Sequence, residues 1–191
     1  MITKEDELER IQKSFVRSTK ECPPEVACLL TVLKYYRVTG DACRLKECCT
    51  IDGQITMMGM REAAIEAGLK SSIGLLGMER LSKPMLPQVL FCYNDQRKPS
   101  YVVCYGLFDG RFLIWDPAWG VLHYWPEEME HLWINGITLF LHPSERLNEQ
   151  AAEYAWWELS PYKEWRRKLL RWHEQMWLSV PLYRKICGWI K

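Results

Sequence analysis

The run of residues from Phe15 to Tyr36 limits most strongly how this chain can fold. It consists of a polar approach, two consecutive prolines and a nearly unbroken apolar stretch from Val26 onwards. Pro23 and Pro24 cannot lie inside a helix, but they suit its first turn, where the backbone N–H groups have no partner. The run therefore predicts a helix that begins at the prolines and is buried on most of its surface.

Cys22 comes directly before this predicted helix. A helix N-terminus stabilises a thiolate, and many thiol enzymes present their nucleophile there. The chain has eight cysteines and a charged N-terminus without a secretion signal, so we expect reduced thiols rather than disulfides. Cys43, Cys48 and Cys49 are clustered without a second cysteine pair or a nearby histidine, so neither a zinc site nor another cofactor is expected.

The hydrophobic pattern changes from helical to strand-like along the chain. Helices are predicted before and after the prolines, from Asp41, and from Thr56 to a stop at Gly68. Further on, the sequence predicts strands over residues 88–93, 100–107, 111–116 and 120–125, a brief helix from Pro126, and a last strand over residues 136–142. Helices followed by mostly antiparallel strands indicate an α+β fold.

Four stretches match, in order, the motifs of one enzyme family. They are Glu21-Cys-Pro-Pro-Glu-Val-Ala-Cys-Leu29, Gly53-Gln-Ile-Thr56 with the helix after it, Pro99-Ser-Tyr-Val-Val103, and Trp115-Asp-Pro-Ala-Trp-Gly120. They resemble the C39 cysteine peptidases, papain-like domains at the N-terminus of bacteriocin-exporting ABC transporters. The resemblance implies a papain-like fold, with N-terminal helices packed on a mostly antiparallel sheet. It divides the chain into a helical lead-in (1–14), a C39 peptidase-like domain (15–143) and a basic, Trp-rich helical tail (144–191).

The chemistry of that family needs a thiolate cysteine, a histidine as its base, an aspartate that orients the histidine, and a glutamine in the oxyanion hole. By resemblance, the aspartate is Asp116, whereas Ser100 occupies the histidine position. A serine hydroxyl cannot act as a base near neutral pH. Of the chain's four histidines, only His123, one strand beyond Asp116, is a candidate substitute, and a lone histidine in a strand is more often structural.

The nucleophile position can be aligned in two ways. Matching the Ala-Cys-Leu stretch that ends at Leu29 places Pro24 at the cysteine position and Ser18 at the glutamine position. Matching Cys22 keeps the cysteine but adds two residues to the helix and places Val16 at the glutamine position. Two added helical residues rotate what precedes them by about 200°. Cys22 would then face away from the site, unless the prolines leave it outside the helix.

Three functions are compatible with these residues. The favoured one is a non-catalytic peptide-binding module, accessory to processing or ABC-transporter export of a peptide with a double-glycine leader. The resemblance implies a groove for that leader, and its candidate residues are Cys22, Pro24, Ser100, Tyr101, Asp116 and Trp119. The alternatives are an active peptidase that uses Cys22, Asp116 and His123, and a structural or assembly subunit that works through the tail.

The tail differs in charge from the rest of the chain. Residues 161–191 carry eight Lys and Arg against two Asp and Glu, whereas residues 1–160 carry 17 against 22. A basic helix with tryptophans suits an anionic membrane surface, an acidic partner such as part of a transporter, or packing within the chain or its homo-oligomer. The acidic body argues against nucleic acid. The sequence has no apolar run long enough to span a bilayer. We therefore expect a cytoplasmic protein that is either free or peripheral at the inner face of the membrane.

Overall fold

The structure is a computed structural model that describes residues 4–82, 87–94 and 96–144. Its helices are α1 (Lys4–Ser14), α2 (Pro24–Tyr35), α3 (Ala42–Cys49), α4 (Met57–Glu66), α5 (Met78–Leu81) and α6 (Pro126–Leu132). Its strands are β1 (Thr50–Ile51), β2 (Gln54–Ile55), β3 (Leu69–Leu75), β4 (Gln88–Tyr93), β5 (Pro99–Phe108), β6 (Arg111–Asp116), β7 (Gly120–Tyr124) and β8 (Trp133–Pro143). The predicted tail beyond residue 144 lies outside the described residues, so the three-part division of the chain stays a prediction.

One antiparallel sheet organises the described residues. Its strand order is β3-β8-β4-β5-β6-β7, and β1 and β2 form a separate hairpin. Asp109 and Gly110 connect β5 to β6 with positive φ angles of 49° and 81°, as an Asp-Gly hairpin signal predicts. The predicted α+β fold, with its mostly antiparallel sheet, is confirmed.

Helix α2 begins where the two prolines predict. Pro23 is its N-cap in an extended conformation, and Pro24 is the first helical residue. Eight residues of this helix are buried, so it is enclosed by its neighbours on most of its surface: Val26, Ala27, Cys28, Leu29, Thr31, Val32, Leu33 and Tyr35. The predicted caps of α4 are also present, because the Thr56 hydroxyl accepts the backbone N–H of Gly59 and Gly68 follows the helix with a φ of 92°.

The two faces of the sheet carry separate apolar clusters. On one face, helices α1 to α4 pack against side chains such as Val103, Tyr105 and Trp115. On the other face, the cluster includes Val102, Ile114 and residues of α5 and α6. Because successive residues of a strand point to opposite faces, neighbouring residues of β5 and β6 contribute to different clusters. This alternation decides which of the predicted site residues can meet.

Two parts of the chain could not be described fully from the sequence. The lead-in helix α1 packs against the domain, because Ile11 and Ser14 are buried and Arg10 donates a hydrogen bond to the Tyr35 carbonyl. Strand β3, which the sequence analysis did not predict, pairs with β8 along all seven of its residues. The Lys-Ser-Ser segment at residues 70–72 gives no apolar alternation from which a strand could be predicted, and β3 is an edge strand that pairs with β8 alone.

Candidate functional site

Ser100 and Asp116 lie on the same face of two neighbouring strands. The register of β5 and β6 pairs Val103 with Trp115, so Val102 comes opposite Asp116 when this register continues by one residue. Ser100 is the next residue of β5 on that face. Both Ser100 and Asp116 line one cleft, which also contains Trp119. The histidine and aspartate positions implied by the resemblance are therefore neighbours in the structure.

The cleft between these residues is narrow and mostly apolar. Its cavity volume is about 20 Å³, little more than the roughly 10–15 Å³ that one water molecule needs. Trp119 and Tyr93 stand at its rim and are 59% and 43% exposed. The remaining lining residues are Cys92, Asn94, Val102, Ile114, Leu122, Tyr124, Met129 and Leu132. A side chain of modest size can meet the rim, but a whole peptide cannot enter the cleft.

The carboxylate of Asp116 holds the turn that follows β6. Its Oδ1 atom accepts the backbone N–H groups of Ala118 at 2.7 Å and of Trp119 at 3.2 Å. Asp116 itself is only 4% exposed. These bonds fix the turn that presents Trp119, and they give the carboxylate a structural task that does not depend on a histidine.

The turn is also tied to the segment that leads into α2. Ser18 donates its backbone N–H and its hydroxyl to the Pro117 carbonyl, at 3.0 Å and 3.2 Å. The Trp115 indole donates to the Val16 carbonyl at 3.2 Å, and its ring stacks on Phe15 with centroids 4.1 Å apart. Ser18 and Val16, which the alternative alignments place at the glutamine position, thus hold the segment in place. Val16 does so through its carbonyl, and Ser18 through its N–H and its hydroxyl.

Cys22 lies outside α2, in a tight turn with Thr19. Its N–H donates to the Thr19 hydroxyl, and its carbonyl accepts the Thr19 N–H at 2.8 Å. The thiol is buried, and burial raises its pKa, while the nearby Lys46 ammonium acts in the opposite direction. A raised pKa keeps the sulfur protonated at neutral pH, which is the reverse of what an activated nucleophile needs.

Cys28 is the other thiol near the start of α2, and it is completely buried. Its sulfur donates a hydrogen bond to the Tyr101 carbonyl at 3.4 Å. Burial raises its pKa well above the usual value, and the negative charges of Asp116 and Glu25 raise it further. Cys28 is therefore a neutral core thiol that joins α2 to β5.

The structure brings three of the six predicted groove residues together. Ser100, Asp116 and Trp119 share the cleft, whereas Cys22 and Pro24 do not line it. Tyr101 points to the opposite face of β5, where it packs against Phe91 with ring centroids 5.0 Å apart. The sequence signal for these positions came from linear motifs, which do not reveal the face on which a strand residue lies.

His123 does not share a surface with Asp116. It is exposed on β7 opposite Leu113, whereas its neighbour Leu122 lies opposite Ile114 and lines the cleft. Alternation along the strand therefore puts the imidazole on the face away from the cleft. The described residues do not bring together the predicted set of Cys22, Asp116 and His123.

Sequence reasoning missed Cys92, which lies directly opposite Ser100 in the pairing of β4 with β5. Its thiol is buried in the cleft, and burial raises its pKa. Its position in a predicted strand was visible, but its partner depends on the register of the sheet. Within residues 4–82, 87–94 and 96–144, no group of three or more His, Cys, Asp and Glu side chains could hold a metal ion.

A second cavity lies between α3 and α4. Its volume is about 250 Å³, and Arg44, Cys48 and Glu66 are among the residues that line it. Glu66 accepts hydrogen bonds from both of the other side chains, at 2.5 Å from the Arg44 Nη2 atom and 2.8 Å from the Cys48 sulfur. These three side chains thus satisfy one another.

In the described part of the chain, no helix combines the length and apolar character that a membrane span requires.

Comparison with known proteins identifies the relatives of this fold. The sequence profile described as the Peptidase C39 family matches residues 12–146. The peptidase domain of Streptococcus ComA, described as a bi-functional ABC transporter involved in a quorum sensing pathway, superposes with a TM-score of 0.60 at 24% identity, over 68% of this chain and 97% of that domain. A comparison with curated protein sequences finds no match.

Two further solved structures share the fold. A double glycine motif protease from an AMS/PCAT transporter, in complex with the leader peptide, superposes with a TM-score of 0.57 at 23% identity, over 68% of this chain and 89% of that one. The N-terminal peptidase C39 like domain of the toxin secretion ATP-binding protein from Vibrio parahaemolyticus gives a TM-score of 0.53 at 17% identity, over 63% and 97%. At these identities the similarity concerns the fold.

Proposed function

Because the chain belongs to the Peptidase C39 family, we propose that it is a non-catalytic member that binds a peptide without cutting it. The peptide is one with a leader of the double-glycine type. The chain acts as an accessory to processing or ABC-transporter export of that peptide. The observation that carries this proposal is Ser100, which lies beside Asp116 at the position where the family's chemistry needs a histidine.

The surroundings of Ser100 support the loss of catalysis. Cys92 lies opposite Ser100, and Asp116 is engaged by the backbone of its own turn. No histidine lines the described cleft. Without a base in the cleft, a cysteine thiol has no acceptor for its proton there, and a neutral thiol is a poor nucleophile.

The helix side of the former site also argues for binding rather than cleavage. Pro24 carries no nucleophilic atom and is the first residue of α2. Cys22 keeps a thiol, but its raised pKa favours the protonated form. Both alignments of the nucleophile therefore lead to a site that lacks a thiolate at neutral pH.

A peptide can still be held at the rim of the cleft. Trp119 is exposed, and its backbone is fixed by Asp116, so its ring offers apolar area at little entropic cost. Tyr93 stands on the same rim. One solved relative of the same fold contains a leader peptide, which makes a double-glycine leader the ligand to test.

The proposal places the chain at the cytoplasmic face of a membrane beside an ABC transporter. The relatives of this fold include peptidase domains of such transporters. The basic composition of residues 161–191 suits contact with an anionic bilayer or with an acidic partner. Vesicles with and without anionic lipid would distinguish these two settings, because only the bilayer contact depends on lipid charge.

Calorimetric titration of a synthetic double-glycine leader peptide into the full chain tests the binding function. We expect saturable binding, and we expect Trp119→Ala to weaken it at least about fivefold, which corresponds to roughly 1 kcal/mol. Trp125→Ala is the matched control, since Trp125 is 45% exposed but does not line the cleft. Absence of binding at about 1 mM peptide would refute the proposal.

The same mixture separates binding from catalysis. After incubation, mass spectrometry should find the leader peptide intact. A cleaved leader whose appearance is abolished by Cys22→Ser would establish the rival function, an active thiol peptidase with a relocated base. Because α2 starts after Cys22, the serine variant removes the thiol without changing a helical residue.

A further inference from the structure

The outer edge of strand β3 can pair with another strand. Strand β3 lies at one end of the sheet and is paired along its whole length with β8. Its last residue, Leu75, is 76% exposed, and Ile73 on the same face is 37% exposed. Natural edge strands are normally protected by charges, prolines or bulges. Strand β3 has one charge, Lys70, but neither a proline nor a bulge in its pairing with β8, so its apolar end at Ile73 and Leu75 is a template for pairing.

Two hydrogen bonds show which backbone groups of β3 point outwards. Leu76 donates its N–H to Gly136, the residue opposite it, and Leu141 donates its N–H to the Gln88 side chain on the other neighbouring strand. In an antiparallel pair, residues alternate between those that bond to the partner and those that point away. The residues of β3 that point away from β8 are therefore Leu69, Ser71, Ile73 and Leu75.

These outward groups have no backbone partner within the described part of the chain. A partner that satisfies them must offer outward groups with the same spacing. A second copy of β3 in antiparallel orientation does so, provided that a twofold axis passes through one of its residues. With the axis at Ser72, Leu69 lies opposite Leu75 and Ser71 lies opposite Ile73, so every outward residue meets an outward residue.

We propose that the chain forms a symmetric homodimer in which the β3 strands of two copies pair antiparallel about Ser72. The two sheets then become one continuous sheet. The exposed Leu75 of each copy is covered by the β3 face of the other, beside Leu69. This axis uses the full length of the strand, whereas an axis at a neighbouring residue leaves one end unpaired.

The charges of β3 allow this arrangement. Lys70 is the strand's charged residue, and the twofold axis places it opposite Gly74 of the second copy rather than opposite another lysine. The two lysines are then about 14 Å apart along the strands, beyond the Debye length at physiological salt. The inference is independent of peptide binding, because the cleft lies on β5 and β6.

Disulfide trapping tests the position of the axis. Ser72 is exposed and lies on the axis, where facing residues come within disulfide distance. We expect Ser72→Cys to give a covalent dimer under mild oxidation, with the linkage between the substituted positions located by peptide mapping. Lys70→Cys, on the same exposed face, is the matched control and should give none, because the two lysines lie far apart. A linkage through position 70, or none through position 72, would overturn the proposal.

Light scattering on the full chain provides a second, independent test. We expect about twice the mass of one chain. Leu75→Lys should reduce the mass to that of a monomer, because the Leu75 side chain is exposed in the monomer but covered in the dimer. Val121→Lys is the control on the opposite edge strand, where the side chain is 43% exposed. A monomeric parent chain, or a dimer lost through Val121→Lys instead, would contradict the β3 interface.

Discussion

The Oδ1 atom of Asp116 accepts the backbone N–H of Ala118 at 2.7 Å and so closes the turn after β6. The same oxygen accepts the N–H of Trp119. In the family chemistry this carboxylate would orient a histidine, but here Ser100 is its neighbour. The aspartate therefore has a structural task of its own, and its removal should affect folding.

We expect Asp116→Ala to lower the free energy of unfolding by about 2 kcal/mol, because two backbone N–H groups lose a charged acceptor in a buried position. Asp116→Asn should cost less than about 1 kcal/mol, since the amide oxygen can still accept both bonds. Urea denaturation followed by circular dichroism measures both values. Equal midpoints for the alanine variant and the parent chain would show that these bonds do not stabilise the turn.

The protonation of Cys22 predicts its reactivity. Burial raises the pKa of this thiol, so little thiolate is present at neutral pH. We expect iodoacetamide to alkylate Cys22 more slowly than Cys43 at pH 7.5, because a raised pKa lowers the thiolate fraction of Cys22 and its sulfur is buried. Cys43 is exposed and serves as the internal reference. Faster labelling of Cys22 than of Cys43 would instead indicate an activated nucleophile.

The sequence was sufficient to predict the elements whose signals are local. The two prolines located the start of α2, and the Asp-Gly pair at residues 109–110 located the hairpin between β5 and β6. The motif order also placed Ser100 and Asp116 in one site, because their strands are neighbours in both sequence and space. Strand β3 could not be predicted, since its polar segment is stabilised by β8, about 70 residues later in the chain.

The sequence also did not show on which face of the sheet each strand side chain lies. Tyr101 and His123 lie in correctly predicted strands, yet each points away from the cleft. The face of a strand residue follows from the register, which depends on which side of the sheet the helices cover. Cys92 illustrates the converse, since the same register placed it opposite Ser100 without any motif of its own.

Buried thiols make the stability of the fold depend on alkaline pH. Burial raises the pKa of Cys104 to about 12 and that of Cys49 to about 12, compared with about 8.5 in an unfolded chain. Below pH 8.5 both states hold these protons, so the full stability is present. Above it the unfolded state releases them first, and stability falls as the pH rises towards 12. We expect a lower urea midpoint at pH 10.5 than at pH 7.5.

A cysteine variant assigns this pH dependence to the core. In Cys104→Ala the difference between the two midpoints should be smaller than in the parent chain, even though the variant is less stable at both pH values because it loses buried volume. Cys43→Ala is the control, because its side chain is exposed and its replacement should leave the difference unchanged. An unchanged difference in Cys104→Ala would mean that this thiol does not contribute.

The contact between α3 and α4 predicts the effect of a single methyl group. A Cβ atom at Gly59 would lie 2.0 Å from the Cys49 carbonyl oxygen and 2.6 Å from its carbon. Replacing a helical glycine with alanine normally gains about 1 kcal/mol, but backbone atoms cannot rotate away, so the clash outweighs that gain. We expect Gly59→Ala to lower the free energy of unfolding by about 2 kcal/mol or more. Gly77→Ala is the control, because no atom beyond its chain neighbours lies within 4 Å of its Cβ position. As a change at the N-cap of α5, it should cost less than about 1 kcal/mol. If both variants unfolded at the parent midpoint in urea, the close approach of the two helices would be wrong.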